Sequence, residues 1–483
     1  MRRDSIVRAG LASALLWCGW LHAPVRAQGV VGGVYIDGEG MLRQAAQLPD
    51  EQRLKLLRDN AVVPGAADDV QAASPLRKIS LRRLEARIAA LHQQEQPLPA
   101  EVQYLAGLQR IQFVLFHPEA EDVILAGPAE GWKQLPTGEV VGSRSGRPVL
   151  HLDDWLVALR FSCGDQQSAG FLGCSIEPTP EGVQRYAQAM RGLSGINESN
   201  ADQLCEQLAE TMGPQDVKLF GAPDSSRFAL VMASADYRLK RLAMGHDPSP
   251  VSKVTNYMDL AARRFTSGPQ PQHRWWFVGE YDAIHATADS LAFEFEGTGV
   301  KVRTGPSTVV QAAPAKNAPK PAKAATQFAE TATRHFGELS ERIPVFAELQ
   351  NVVALSLTAA LIARSQEGAE IDENTPRRIP AAWKPTHLLD EKECPIAEYA
   401  VPRQTPSLST WRHVDGKGWV IGVSGGIEIV PKVMFAQVRD VVPGEKQPAR
   451  GKANRRDGGE AGPTMQQAQK SAFPANPDAW WWD

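Results

Sequence analysis

Ser424 is the first residue to invite a chemical reading, because Gly422-Val423-Ser424-Gly425-Gly426 looks like the turn that presents a nucleophilic serine. Its flanks argue against that. Strand-like runs stand on both sides in WVIGVSGGIEIVPKV, so Trp419 to Val433 predicts a hairpin turning at Gly425-Gly426. Beyond residue 27 the histidines His92, His117, His151, His246, His273, His285, His335, His387 and His413 each stand alone, with no HExxH or HxH spacing, and no CxxC accompanies them. The spacing implies no metal. No GxxxxGK[ST] occurs, and Gly127-Pro128 with Gly131 does not make GxGxxG, so no cofactor is implied either.

Carboxylates are paired at Glu119/Glu121/Asp122 and at Asp153/Asp154. The first set reads as a solvated hairpin tip and the second as a helix cap. A hydrolase in this chain would have to assemble its site from distant residues. That is the alternative to the leading expectation, a non-enzymatic binding or assembly protein.

The most unusual stretch is SRFALVMASADYRLKRLAMG, which reads as a strand. Alternation would put Asp236, Arg238 and Lys240 on one face and Tyr237, Leu239 and Arg241 on the other. Two readings follow: a salt-bridged surface strand, or an interaction surface in which Arg238 and Lys240 bind an anionic partner beside Tyr237, Trp275 and Trp276. An anionic envelope component or a protein would fit such a surface.

The N-terminus carries Arg2, Arg3 and Arg8, then an apolar stretch from Gly10 to Leu21, then Ala23-Pro24-Val25-Arg26-Ala27. That order predicts a secretory signal peptide cleaved between Ala27 and Gln28, and the apolar stretch is shorter than the roughly 20 residues a membrane anchor needs. The expected location is the periplasm or cell envelope, or the medium, with no transmembrane helix in the mature chain. Cleavage removes four arginines and Asp4, a net of +3, and moves the formal charge from −3 to −6. A mildly acidic protein has no electrostatic reason to seek nucleic acid. Cys18 leaves with the leader. Of the four cysteines that remain, Cys163 and Cys174 are the close pair, and export predicts a disulfide between them.

Around these residues the pattern predicts an α+β fold with mixed, mostly antiparallel sheets and packed amphipathic helices. GGVYIDGEGMLRQ reads as a hairpin, Ser80 to Leu91 as a helix with Leu81, Leu84, Ile88 and Leu91 on one face, and IQFVLFHPEAEDVILAG as two strands. Helices are expected near Pro180 and over Ala201 to Met212, an antiparallel meander from Arg274 to Arg303, and a core helical segment from Gln327 to Ala363 with Pro344 near a helix start. The chain divides into a leader (1–27), an N-terminal α+β region (28–160), a central α+β domain (161–305), an Ala/Pro/Lys linker (306–326), a helical segment with hairpin (327–437) and a disordered tail (438–483). Trp480-Trp481-Trp482 in that tail is expected to be a docking tip.

SPLRKISLRRLE (Ser74 to Glu85), YLAGLQRIQFV (Tyr104 to Val114), LAGPAEGW (Leu125 to Trp132), ADYRLKRLAMG (Ala235 to Gly245) and PVFAELQN (Pro344 to Asn351) together make a recognisable set. Between about Val34 and Pro431 the chain resembles an uncharacterised family of exported planctomycete proteins, catalogued only as a domain of unknown function. The resemblance implies export and transfers no catalytic residue.

Overall fold

A computed structural model describes residues 34–36, 41–44, 69–135, 138–164, 170–192, 200–264, 273–306, 323–372, 375–414, 418–422, 425–440, 462–470 and 473–483. Ala27, Gln28, Ser424 and most of the Ala/Pro/Lys linker lie outside them. The strands of the two large sheets are β1 (Ser74–Ser80), β2 (Phe113–His117), β3 (Asp122–Ala129), β4 (Leu172–Pro178), β5 (Gln215–Phe220), β6 (His273–Gly279) and β7 (Ala283–Ala286). They continue with β8 (Ala292–Glu296), β9 (Val300–Pro306), β10 (Gln404–Thr405), β11 (Gly426–Ile429), β12 (Val438–Asp440) and β13 (Trp481–Trp482). The principal helices are α1 (Leu81–Gln93), α2 (Leu152–Cys163), α3 (Pro180–Gly192), α4 (Ala201–Met212) and α5 (Arg227–Met244). After them come α6 (Tyr257–Arg264), α7 (Lys323–Arg334), α8 (Phe336–Arg342), α9 (Pro344–Glu367) and α10 (Met465–Lys470).

This is an α+β fold. One sheet has the order β12-β7-β8-β2-β3-β1-β13 and the other β9-β6-β11-β4-β5-β10, with most neighbours antiparallel and the pairs β6/β11 and β7/β12 parallel. Each sheet draws strands from more than one of the regions marked out in the sequence. A continuous apolar core runs from Val70 to Trp480, with α9 at its centre. Among the described residues α9 alone is long and apolar enough to cross a membrane, and 89% of its apolar window is buried inside the fold.

Local chemistry explains several elements directly. Ser80 ends β1 and caps α1, accepting from the backbone N–H of Arg83 at 3.1 Å, and Leu81, Leu84, Ile88 and Leu91 all turn to the core. Asp122 is part of the same junction. It accepts from the Ser80 hydroxyl and from the Arg82 N–H at 3.0 Å, and it is fully buried, which corrects the expectation of a solvated acidic tip at that residue. At α2 the capping position is His151, not an aspartate.

The stretch Arg227–Met244 is a helix, not a strand. Ser226 caps it by accepting from the Ala229 N–H, and Gly245 closes it in the left-handed region at φ 77°. Every residue of α5 except Arg241 is buried, so it shows no polar stripe from which a helical period could be read.

The expected meander divides between the sheets: β6 pairs with β9 in one, β7 with β8 in the other. Gly299 permits the return. It sits at φ 71°, and a Cβ there would stand 2.6 Å from the ring of Tyr281. Likewise Trp419 to Val433 is not a hairpin. Gly418–Gly422 pairs with Thr410–Val414, whereas β11 pairs with β4 and β6, where a Cβ on Gly426 would meet the Cys174 carbonyl oxygen at 2.0 Å.

Residues 462–470 and 473–483 are ordered on the fold, contrary to the expectation of disorder to the end. Helix α10 packs on the outer face of β2, β3 and β8, and β13 pairs with β1. The tryptophans dock on their own fold.

Candidate functional site

The proposed interaction surface is interior. Arg238 and Lys240 are 3% and 2% exposed, Tyr237 is 2% exposed and Trp275 is fully buried. Arg238 pairs with Asp247, while Lys240 bonds Asp236 at 3.2 Å and donates to the Ile176 carbonyl at 2.7 Å. Trp275 packs tilted against Tyr257 and meets Phe328 edge-on, and only Trp276 is half-buried. The error has one cause: i and i+2 share a face on a strand, but on a helix Asp236 and Lys240 meet as i and i+4 within the core.

Cys163 and Cys174 are free thiols, as is Cys394. Cys174 lies in β4 between β5 and β11, and burial drives its pKa well above that of an ordinary thiol; burial takes Cys163 up to about 12. The expected bridge is not formed.

Two polar assemblies stand out among the described residues. The first is a buried network around Arg227, whose guanidinium pairs with Asp154 of α2 and Glu348 of α9. Burial is the main force on the surrounding acids, taking Glu348 up to about 7 and Asp153 up to about 6. His151, packed edge-on against Tyr104, is held well below its usual range by burial and then by Arg227. Arg227, Asp154, Glu348 and His151 are all at most 8% exposed, so this network braces the helices.

The second assembly is a cleft of about 670 Å³ between the β1/β2/β3 end of the larger sheet and helices α8 and α9. Gln109, Arg110 and Gln112 line it from the approach to β2, Arg144, Ser145 and Arg147 from the loop after Val140–Gly142, Gln350 and Asn351 from α9. Glu130, just past β3, builds the rim. Its Oε1 accepts from Gln109 Nε2 at 2.9 Å, the Ser145 N–H at 2.8 Å, the Ser145 hydroxyl at 2.7 Å and the Arg144 N–H at 3.3 Å. The loop must come this close, since a Cβ on Gly142 would overlap that same oxygen at 1.9 Å. Arg147 reaches Gln350 at 3.4 Å, and Pro463 accepts from Gln112 at the far rim.

Chemically, the cleft offers three guanidinium groups and several amides beside two carboxylates, Glu341 and the Glu130 already engaged in holding the loop. Planar, multi-donor side chains of this kind recognise carboxylate, phosphate and hydroxyl oxygens. Sequence reading missed these residues because Glu130, Ser145 and Gln350 meet only across the tertiary fold. Only the Arg-Ser-Gly-Arg run at 144–147 was locally visible, and it matches no motif.

The fold and site thus define an α+β protein with an open, guanidinium-lined cleft. Residues 174–257 match a family described as a protein of unknown function, DUF1598, which supports kinship with an uncharacterised family. That region runs from β4 through the buried helix α5 to the start of α6, and the cleft lies outside it. No curated protein and no solved structure matches the chain.

Proposed function

We propose that this is an exported binding or assembly protein of the cell envelope, and that its cleft takes an anionic ligand. The observation that carries this reading is the role of Glu130: by fixing residues 144–145 it positions a cationic rim, Arg144 and Arg147, in a cleft that Arg110 also lines, on a chain whose overall charge is negative. A local field opposite to the net charge concentrates anions at the cleft and repels them elsewhere. The acids with raised pKa, Asp122, Asp153, Asp154, Asp236, Glu348 and Glu428, do not line the cleft. That favours recognition over acid–base chemistry there.

Calorimetric titration of the mature chain with polygalacturonate, a carboxylated polymer, against neutral dextran tests the proposal. Binding should appear only with the anionic polymer, weaken with salt, and fall at least about tenfold in the Arg144→Glu/Arg147→Glu variant. Equal affinity in wild type and variant would remove the cleft from the function.

A further inference from the structure

The segment 462–483 lies on the fold as a ligand lies on a receptor. Trp481 pairs with Ile79 and Trp482 with Lys78 along β1, and the Ser80 N–H donates to the Trp480 carbonyl at 2.8 Å. Arg77, fully buried, donates from Nε and Nη2 to the two carboxylate oxygens of Asp483 at 2.8 and 3.0 Å, with the Trp481 ring 4.5 Å from its guanidinium carbon. Arg83 donates to the Asn476 and Ala479 carbonyls, both at 3.0 Å, and faces Phe473. Met465 and Ala468 complete the contact on the outer face of Phe113 and Ile124.

These are the elements of peptide recognition by strand addition: main-chain pairing to a sheet edge, aromatic anchors, and a fork that clasps a carboxylate. None of them requires the segment to belong to the same chain. The stretch 441–461, rich in Gly, Pro, Lys and Arg, spans at most about 70 Å when extended, far enough to carry the segment to a neighbour.

We infer that the β1 edge with Arg77 and Arg83 is a docking groove for the segment 462–483 of a second copy of this chain, so that two copies exchange segments reciprocally. In such an exchange both grooves stay filled and every contact is kept, so dimers form at the cost of association alone. Within one chain the tether supplies an effective concentration on the order of 1 mM, and exchange prevails where the local protein concentration approaches that value.

The test uses full-length chains. A Trp481→Ala/Asp483→Lys chain, whose own segment cannot dock, is mixed with wild type and followed by sedimentation. Because the variant contributes no segment, mixed dimers hold one exchanged segment; at a protein concentration of about 1 mM they should form, should be absent from the variant alone, and should dissolve on adding a synthetic peptide of residues 462–483. A variant that stays monomeric beside wild type overturns the inference. Should the variant fail to fold, wild type alone decides: a dimer growing in towards about 1 mM and dissolved by the peptide supports exchange. A monomer throughout, or a dimer indifferent to the peptide, overturns it.

Discussion

Arg227 and Glu348, 121 positions apart in sequence, form a buried ion pair that ties α5 to α9, and the same guanidinium holds Asp154 of α2. Three core helices therefore converge on one cation.

Removing that cation leaves two buried carboxylates facing each other. Arg227→Met should cost about 3–5 kcal/mol of unfolding free energy, the usual consequence of breaking a buried ionic network from one side. Urea denaturation measures it. A loss under about 1 kcal/mol would mean the network does not brace the helices.

Glu348 also sets a pH dependence. Burial, opposed by Arg227, raises it from 4.5 to about 7, so between those values the folded chain holds a proton that the unfolded chain has released. Stability from this group is therefore full at low pH and lost as pH rises through the window. Asp153, raised to about 6, acts in the same sense, whereas His151, lowered by burial and then by Arg227, removes stability as pH falls below 6.5. Comparing wild type with Glu348→Gln isolates the one group: relative to the variant, wild type should weaken from about pH 4.5 to about pH 7, by at most about 1.4 kcal/mol per unit. A difference that does not change with pH would contradict the raised value.

Lys240 is held inside the fold by Asp236 and the Ile176 carbonyl. Lys240→Met should destabilise by about 3 kcal/mol because it strands Asp236, while adding Asp236→Leu should recover most of the loss. Thermal melts of the single and double variants give the comparison; additive losses would show that the two side chains act independently.

Glu130→Ala should release the loop at 143–147. With the acceptor for the Ser145 N–H and hydroxyl gone, about 2–3 kcal/mol of stability is lost and trypsin cleaves after Arg144 well before global unfolding. Unchanged cleavage kinetics would show that the loop is held by other contacts.

Truncation before Asp478 removes the Asp483 carboxylate from a fully buried Arg77 and strips β13 from the sheet edge. The melting temperature should fall by several degrees, corresponding to about 2–3 kcal/mol. A melting curve identical to that of wild type would mean the tryptophans dock without stabilising the fold.

Local signals in the sequence determined much of the framework. Ser80 before Leu81, Leu84, Ile88 and Leu91 specified α1, the proline at 344 marked the start of α9, and the run Phe113 to Ala129 specified two paired strands. Each depends on neighbours within a few positions, where capping, proline geometry and side-chain period act directly. Tertiary structure decided the rest. Helix α5 is buried on nearly every side, so its period left no trace in polarity, and its charged residues take their meaning from Asp236, Asp247 and the Ile176 carbonyl. The cleft depends on Glu130 meeting Ser145 and on Arg147 meeting Gln350, and the docked tryptophans on an arginine 406 positions before Asp483. Spacing in sequence carries no record of such meetings, because loop closure over long separations adds little cost and so leaves the choice of partner to the packed core.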